Sequence, residues 1–265
     1  MLSFLQKPFR AIVGTFALTA FAIACSPTPN DATAPKESTP QPVANQETCP
    51  IFINDPTESY ERMMFEGWEL LVSGFYKNDL DRKKEILNVI KFQLKAINRT
   101  VPEQALARLR DTLIWAEYPG RGYKTSAYHP DIAYLRRCNI NLDKLEGIEL
   151  DYEIYELQNI QPWVVLHELA HAYHYKILDK DHIETIDAFE AASQSGKYAK
   201  VMFLDNDANV AAELKEAYAM TDEFEYFSEL TEAYFGKNDY QPFDRSELKT
   251  FDPVGYQVIE DAWTR

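Results

Sequence analysis

The residues His167, Glu168 and His171 form an HExxH pattern inside the segment WVVLHELAH, which begins at Trp163. This segment is apolar and favours a helix, in which residues four apart lie one turn above each other. His167 and His171 would then present two imidazoles to a common point, as a tetrahedral zinc ion requires. Glu168 lies about 100° around the helix from His167, where its carboxylate can act as a base without ligating. The pattern therefore predicts a zinc site capable of hydrolysis.

Catalytic zinc takes three protein ligands and keeps one position for water, so a third ligand must lie elsewhere in the chain. His174 shares a helix face with the first two histidines, but one straight helix does not easily bring three imidazoles to one ion. We expect His174 to form a nearby hydrogen bond or to pack. The metzincin pattern needs Gly and then His at positions that hold His174 and Ile177 here. That class is therefore excluded.

A second helix, rich in glutamate, is predicted between Thr221 and Gly236. Thr221 or Asp222 can cap its beginning, acidic residues fill its first turn, and Gly236 can end it. Three glutamates share one of its faces: Glu225, Glu229 and Glu232. Carboxylates beside apolar residues are costly to bury unless they meet a metal, a histidine or an arginine. This face is therefore either a solvated acidic stripe or the source of the third ligand.

The spacing of the acids selects among these glutamates. Zincins with a glutamate ligand usually carry a second acid four residues later, which accepts the free ring N–H of a ligating histidine. Glu225 followed by Glu229 meets this requirement, whereas Glu229 and Glu232 are followed by Ala233 and Gly236. We predict Glu225 as the ligand and Glu229 as its supporting acid. A thermolysin-like plan with Glu229 as the ligand is the alternative.

Two segments resemble the anthrax lethal factor-like zinc metallopeptidases, a family that includes secreted bacterial proteins. They are HELAHAYHY, which begins at His167, and YAMTDEFEYFSE, in which Tyr218 precedes the candidate ligand Glu225 by seven residues. The resemblance covers roughly residues 120 to 263 and implies an α+β, mainly helical fold of the zincin type. The site residues it implies are the zinc ligands His167, His171 and Glu225, the general base Glu168, the transition-state donor Tyr218 and the supporting acid Glu229.

The predicted activity is that of a zinc-dependent metalloendopeptidase. Zinc and Glu168 would activate a water that attacks a peptide carbonyl, while zinc and Tyr218 would hold the oxyanion. The substrate would be a peptide or a protein. A surface lipoprotein with a zinc-binding or interaction role and no catalysis is the alternative. The intact Glu168 favours the enzyme, because a purely structural zinc site has no need of that carboxylate.

Composition limits the classes of partner. The chain has 265 residues, 46% of them hydrophobic and 26% charged, which suits a globular domain and excludes wholesale disorder. Lys and Arg number 27 against 42 Asp and Glu, for a formal charge of −15. Such a charge repels phosphate backbones, so nucleic acid is not an expected partner.

The first 24 residues have the pattern of a secretory signal, because Lys7 and Arg10 precede an apolar run that ends at Ala24. The segment around Cys25 resembles a bacterial lipobox, in which this cysteine is lipidated. An ordinary cleavage site is the alternative. Residues 25–48 are rich in Pro, Ser and Thr and are predicted to be a tether. Because Ser26 follows the cysteine, the resemblance implies anchoring to the outer membrane, or to the cell membrane of a Gram-positive organism.

The remaining elements must position this chemistry. Residues 49–119 are predicted to be a helical part of the domain, with the helical pattern between Pro56 and Trp115. Residues 120–265 form the predicted catalytic region, in which residues 147–157 read as a half-buried strand at the edge of the cleft. Cys49 and Cys138 can form a disulfide in an exported protein, and two free buried thiols are the alternative.

Overall fold

The structure is a computed structural model that describes residues 49, 55–121, 126–204 and 214–264. The predicted signal peptide, Cys25 and the tether lie outside the described residues. Helices account for 57% of the structure and strands for 12%, in one small mixed sheet. This confirms the predicted α+β, mainly helical class. Among the described residues, no helix is both long enough and apolar enough to span a bilayer.

The sheet has five strands in the order β1-β2-β3-β5-β4. Its outer pairs, β1 with β2 and β4 with β5, are antiparallel, while β2, β3 and β5 run parallel to one another. The strands are β1 Glu61–Phe65, β2 Trp68–Val72, β3 Ile114–Ala116, β4 Ser126–Tyr128 and β5 Ile148–Leu150.

Nine α-helices are present in the described part of the chain: α1 Leu80–Thr100, α2 Glu103–Leu109, α3 Ile132–Arg137, α4 Glu153–Glu156, α5 Val164–Tyr173, α6 Ile183–Ser195, α7 Glu223–Phe235, α8 Arg245–Phe251 and α9 Pro253–Trp263. A π-helical segment, His174–Asp179, extends α5. The helices α5 and α7 match the two helices predicted to carry the zinc ligands.

The region between Pro56 and Asp79 differs from the helical prediction, because half of it is a hairpin of β1 and β2. The two residues that join these strands, Glu66 and Gly67, both have positive φ angles, 47° and 95°. A two-residue hairpin turn requires this backbone, which glycine adopts readily. A side chain at Gly67 would also overlap Arg110. Regular helix begins only at Leu80, where Asp79 accepts a hydrogen bond from the Arg82 amide.

The prediction of one strand over residues 147–157 is also wrong in part. The strand β5 ends at Leu150, and the short helix α4 follows it. Because β5 pairs with β3 on one side and with β4 on the other, it lies inside the sheet and is not an edge. The edge strands are β1 and β4, and residues 147–157 include neither.

The main core lies between one face of the sheet and the helices α1 and α5. Alternate residues of β5, Ile148 and Leu150, point into this core, and Glu149 points to the other face. A disulfide joins Cys49 and Cys138 and packs beside Leu135.

Candidate functional site

The helix α5 is buried on nearly all sides, which fixes its position in the core. Its start is held by Gln93, a buried side chain of α1 that accepts a hydrogen bond from the Val165 amide at 2.9 Å. This bond satisfies one of the amides that a helix leaves unpaired at its N-terminus. His167 and His171 are both on this helix and line a cavity of about 530 Å³.

The helix α7 packs along α5 and carries the glutamates. Asp222 caps it, accepting hydrogen bonds from the amides of Phe224 and Glu225 at 3.0 and 2.9 Å. At its other end, Gly236 lies against Trp163, and a Cβ at this position would overlap the indole ring. Gly236 thus allows the end of α7 to approach the start of α5.

The three predicted ligands come together in the structure. One carboxylate oxygen of Glu225, Oε2, lies 2.9 Å from His167 Nε2 and 3.4 Å from His171 Nε2. The ligand atoms all lie within 4.8 Å of one another. A tetrahedral zinc at about 2.1 Å from each ligand separates its ligand atoms by about 3.4 Å. The donor set and its spacing therefore fit zinc, although they do not identify the metal.

Each histidine is oriented by a bond to its other ring nitrogen. His171 Nδ1 lies 3.1 Å from the Ser228 hydroxyl, and His167 Nδ1 lies 2.7 Å from Glu232 Oε1. Such contacts fix the ring and the tautomer of a ligating histidine. Both rings thereby direct Nε2 toward Glu225.

The acid that contacts His167 Nδ1 is Glu232, whereas the sequence predicted Glu229 for this contact. Glu229 Oε1 lies 3.7 Å from His167 Nδ1, and its other oxygen accepts a hydrogen bond from Asn238 at 3.1 Å. Seven residues bring a helix back to nearly the same face, so Glu232 shares the face of Glu225 one turn beyond Glu229. This spacing was the available signal for Glu232. The contacts of Ser228 and Asn238 depend on tertiary packing, and no pattern in the sequence indicated them.

Burial and pairing shift the pKa values of the site in opposite directions. Burial alone would lower the pKa of His167, but the bonds to Glu225 and Glu232 raise it well above its usual value. Burial opposes ionisation of Glu225, yet the bonds from His167 and His171 lower its pKa well below the usual range. Burial raises the pKa of Glu232 to about 7. In the metal-free site, a proton thus remains on His167 near neutral pH.

Glu168 and Tyr218 line the same cavity. The Tyr218 hydroxyl donates a hydrogen bond to Glu225 Oε1 at 3.0 Å. Burial of the phenol group, with the charge of Glu225, raises the pKa of Tyr218 far above its usual value, so the hydroxyl keeps its proton. The structure thus places both residues beside the three candidate ligands.

His174 does not join the ligand group. Its ring is fully buried between Phe224 and Phe227, with ring centroids 4.9 and 5.0 Å away. Neither ring nitrogen has a hydrogen-bond partner among the described residues. Burial lowers the pKa of His174 to about 3, so the ring is neutral. His174 therefore packs against aromatic side chains, which is one of the two outcomes expected from the sequence.

A second buried group of titratable side chains lies on the other face of the sheet. Lys144 Nζ contacts Glu117 Oε1 at 2.9 Å and Glu149 Oε2 at 2.8 Å. His129 Nε2 lies 2.9 Å from the same oxygen of Glu149, and the Tyr60 hydroxyl donates to Glu117 at 2.8 Å. We call these five residues the Lys144 cluster. None of them lines the cavity at the candidate site.

Comparison of the chain with protein-family models, with curated proteins and with solved structures found no match.

Proposed function

We propose that the protein is a zinc-dependent metalloendopeptidase with a zincin-like arrangement. The observation that carries the proposal is the convergence of His167 Nε2 and His171 Nε2 on one oxygen of Glu225. Glu168 and Tyr218 border the same cavity, as the resemblance to the lethal factor-like family implies. Two further acids lie next to His167: Glu232 contacts its ring, and Glu229 lies beside Glu232.

The proposed metal is zinc, held by His167, His171 and Glu225. Zinc in such a site supplies a Lewis acid that polarises the scissile carbonyl and lowers the pKa of water. The hydrogen bonds of Ser228 and Glu232 to the two histidines support this assignment, because they hold the rings in one orientation before a metal binds.

The protein side chains supply proton transfer and charge stabilisation. Glu168 accepts a proton from the attacking water and later delivers it to the leaving amine. The Tyr218 hydroxyl, which retains its proton at neutral pH, donates a hydrogen bond to the oxyanion that develops on the carbonyl. In the structure this hydroxyl donates to Glu225, so it must turn toward the substrate during the reaction.

The edge strand β4 provides a binding surface for an extended peptide. The His129 amide donates to Gly147 O, so the backbone groups of His129 and Ala127 face β5. Because successive residues alternate, the backbone groups of Ser126 and Tyr128 face away from β5. No strand of the described chain pairs with this edge, and both residues line the cavity. A peptide can therefore add to β4 through backbone hydrogen bonds.

The proposed location follows from the N-terminal sequence. The protein is exported and anchored through lipid on Cys25, at the bacterial outer membrane or at a Gram-positive cell membrane. The tether would hold the domain near this surface. Its substrates are then peptides or proteins that reach that compartment, and its acidic charge disfavours nucleic acid as a partner.

The test is cleavage of a peptide library by the zinc-loaded chain that starts at Ser26, with Glu168→Gln as the matched variant. We expect about one zinc per chain in both proteins and turnover only in the first, because Gln cannot accept the proton. Equal cleavage by Glu168→Gln would contradict the role of Glu168. Bound zinc without any cleavage would instead favour the non-catalytic surface lipoprotein.

A further inference from the structure

The two ends of the cavity differ in chemistry. Near the C-terminal end of α5, three aromatic rings form a wall: Tyr175 stacks on Phe224 at 4.6 Å between centroids and contacts Tyr128 at 5.7 Å. Near the N-terminal end of α5, the lining contains Asp239 and Gln161, and Gln161 donates to the Asp239 carboxylate at 3.3 Å. One end is thus aromatic and the other carries a carboxylate.

Apolar side chains line the second end of the cavity together with the carboxylate. Leu157, Val164 and Tyr240 line this part of the cavity together with Asp239. Asp239 is 92% buried, since only 8% of its surface is exposed. Apolar walls that lead to a carboxylate suit a long side chain with an aliphatic stem and a cationic head, which is the form of Lys and Arg.

The other acids of the cavity have other roles. Asp222 caps α7, Glu225 meets the two histidines, Glu232 contacts His167, and Glu229 accepts from Asn238. The remaining acid, Glu168, is the proposed general base. None of the described residues that line the cavity is Lys or Arg. Asp239 has no hydrogen bond or ion pair with either histidine among the described residues, although its charge helps to raise the pKa values of Glu229 and Glu232.

The strand β4 sets the direction of a bound peptide. Tyr128, at the end of β4, contacts Tyr175 beyond the C-terminal end of α5. Ser126 pairs with Leu150, from which the chain continues to Leu157 and on to the start of α5. A peptide that pairs antiparallel to β4, the commoner arrangement, enters with its N-terminal part beside Tyr128. Its C-terminal part then lies toward Asp239.

We propose that Asp239 is a specificity-determining residue that selects a Lys or Arg on the C-terminal side of the scissile bond. This inference rests on the proposed function and extends it to the substrate class. The aromatic wall of Tyr128, Tyr175 and Phe224 receives the residues on the N-terminal side. The substrates are thus peptides whose cleavage leaves a product with a basic residue at its new N-terminus.

The test compares peptides that differ only at the position following the scissile bond. A fluorogenic peptide cleaved by the zinc-loaded protein is resynthesised with Arg, Lys, Gln or Glu at that position. We expect kcat/KM for Arg to exceed that for Gln by about 10- to 100-fold, the range for a charge-assisted hydrogen bond. Asp239→Asn should reduce this ratio toward one. Asp261→Asn, on the exposed side of α9, should leave it unchanged.

Two results would overturn the proposal. One is an Arg to Gln ratio that Asp239→Asn does not change, and the other is a basic preference on the N-terminal side of the scissile bond. If Asp239→Asn folds poorly, as judged by its unfolding midpoint, Leu157→Arg is the second variant. A guanidinium at that position occupies the same end of the cavity and should remove the preference for Arg.

Binding to the Glu168→Gln protein separates this proposal from the proposed hydrolysis. Fluorescence anisotropy gives the Kd of the labelled Arg and Gln peptides without turnover. Tighter binding of the Arg peptide that Asp239→Asn removes supports the role of Asp239, even if the wild-type chain cleaves nothing. If the Arg and Gln peptides were cleaved at equal rates and bound with equal Kd values, the proposed hydrolysis would stand and the role of Asp239 would be rejected. Absence of both cleavage and binding would reject both.

Discussion

The two buried groups of His and carboxylate side chains differ in how their charges are compensated. In the Lys144 cluster, one ammonium group lies between Glu117 and Glu149, within 2.9 Å of each. In the candidate metal site, no Lys or Arg lines the cavity within the described residues, and Glu225 and Glu232 both contact the same imidazole, that of His167. The first cluster contains a permanent ammonium cation, whereas the only cation of the second is the protonated ring of His167, which must lose its proton when a metal binds.

This difference separates a structural role from a binding role. Buried carboxylates are stable when a cation and hydrogen bonds compensate them, and they are costly otherwise. A cavity whose acids outnumber its cations is suited to an external cation, either a metal or a basic side chain. Burial and hydrogen bonding alone do not distinguish the two clusters, since both contain a buried histidine in contact with a glutamate.

The largest expected effect comes from removing the third ligand. Glu225→Ala should lower zinc affinity by on the order of 1,000-fold, because it removes one of the few ligands that share the binding free energy. Competition with a chelator measures this change. Glu223→Ala, on the same turn of α7, should bind zinc normally. Normal zinc affinity in Glu225→Ala combined with loss in Glu229→Ala would establish the thermolysin-like ligand set instead.

Removing the cation of the Lys144 cluster should affect stability and leave metal binding intact. Lys144→Met leaves Glu117 and Glu149 buried without their ammonium partner, at a cost of about 3–5 kcal/mol in the free energy of unfolding. Urea denaturation at neutral pH measures it. Zinc content per folded molecule should stay the same. A change in zinc affinity with little loss of stability would mean that the two clusters are not independent.

The choice of the supporting acid can be tested with two isosteric variants. Glu232→Gln should weaken zinc binding by about 10- to 100-fold, because His167 loses a charged acceptor for its Nδ1 proton. Glu229→Gln should have a smaller effect, since Glu229 Oε1 lies 3.7 Å from that nitrogen. Calorimetric titration with zinc compares the two. The reverse ranking would support the assignment made from sequence.

The pH dependence of the two clusters should also differ. The raised pKa of His167 keeps its proton in the metal-free site, and zinc needs the neutral ring. Zinc affinity should therefore rise about tenfold per pH unit while the pH is below that pKa. In the Lys144 cluster, burial raises the pKa of Glu117. The bonds from His129 and Lys144 lower the pKa of Glu149 to about 2, although burial opposes this.

The same pKa shift sets the acid limit of the Lys144 cluster. A depressed carboxyl pKa gives stability that is present above the unfolded value and is lost as the pH falls toward the folded value. For Glu149 these values are 4.5 and about 2. Unfolding measured between pH 5 and pH 3 should show this loss, and Glu149→Gln should show less of it. Equal slopes in both proteins would contradict the pairing.

The helices of the site could be predicted because their signals are local. The apolar frame of HELAH and the Asp222 cap act within a few residues, and α5 and α7 lie where those signals place them. The hairpin before Asp79 was missed because Glu66 and Gly67 are a turn signal that the surrounding helical spacing obscured. The end of β5 was missed because the acidic residues between 151 and 157 fit the pattern of a strand and that of a helix equally imperfectly.

The supporting contacts could not be predicted to the same depth, because they depend on tertiary packing. The choice of Glu232 over Glu229 depends on Asn238, which draws Glu229 away from His167. The role of Asp239 depends on the cavity, and the position of β4 at the edge depends on strand order. None of these has a signal in the spacing of residues along one element.

The disulfide between Cys49 and Cys138 closes a loop of chain that contains β1 to β4 and α1 to α3, while the helices of the candidate metal site lie outside it. A protease that cuts once inside this loop would leave both fragments covalently joined. On a gel without reductant the nicked protein would therefore migrate as one band, and it would separate into two only after reduction. Nicking after Cys138 would give two bands on a denaturing gel even without reductant.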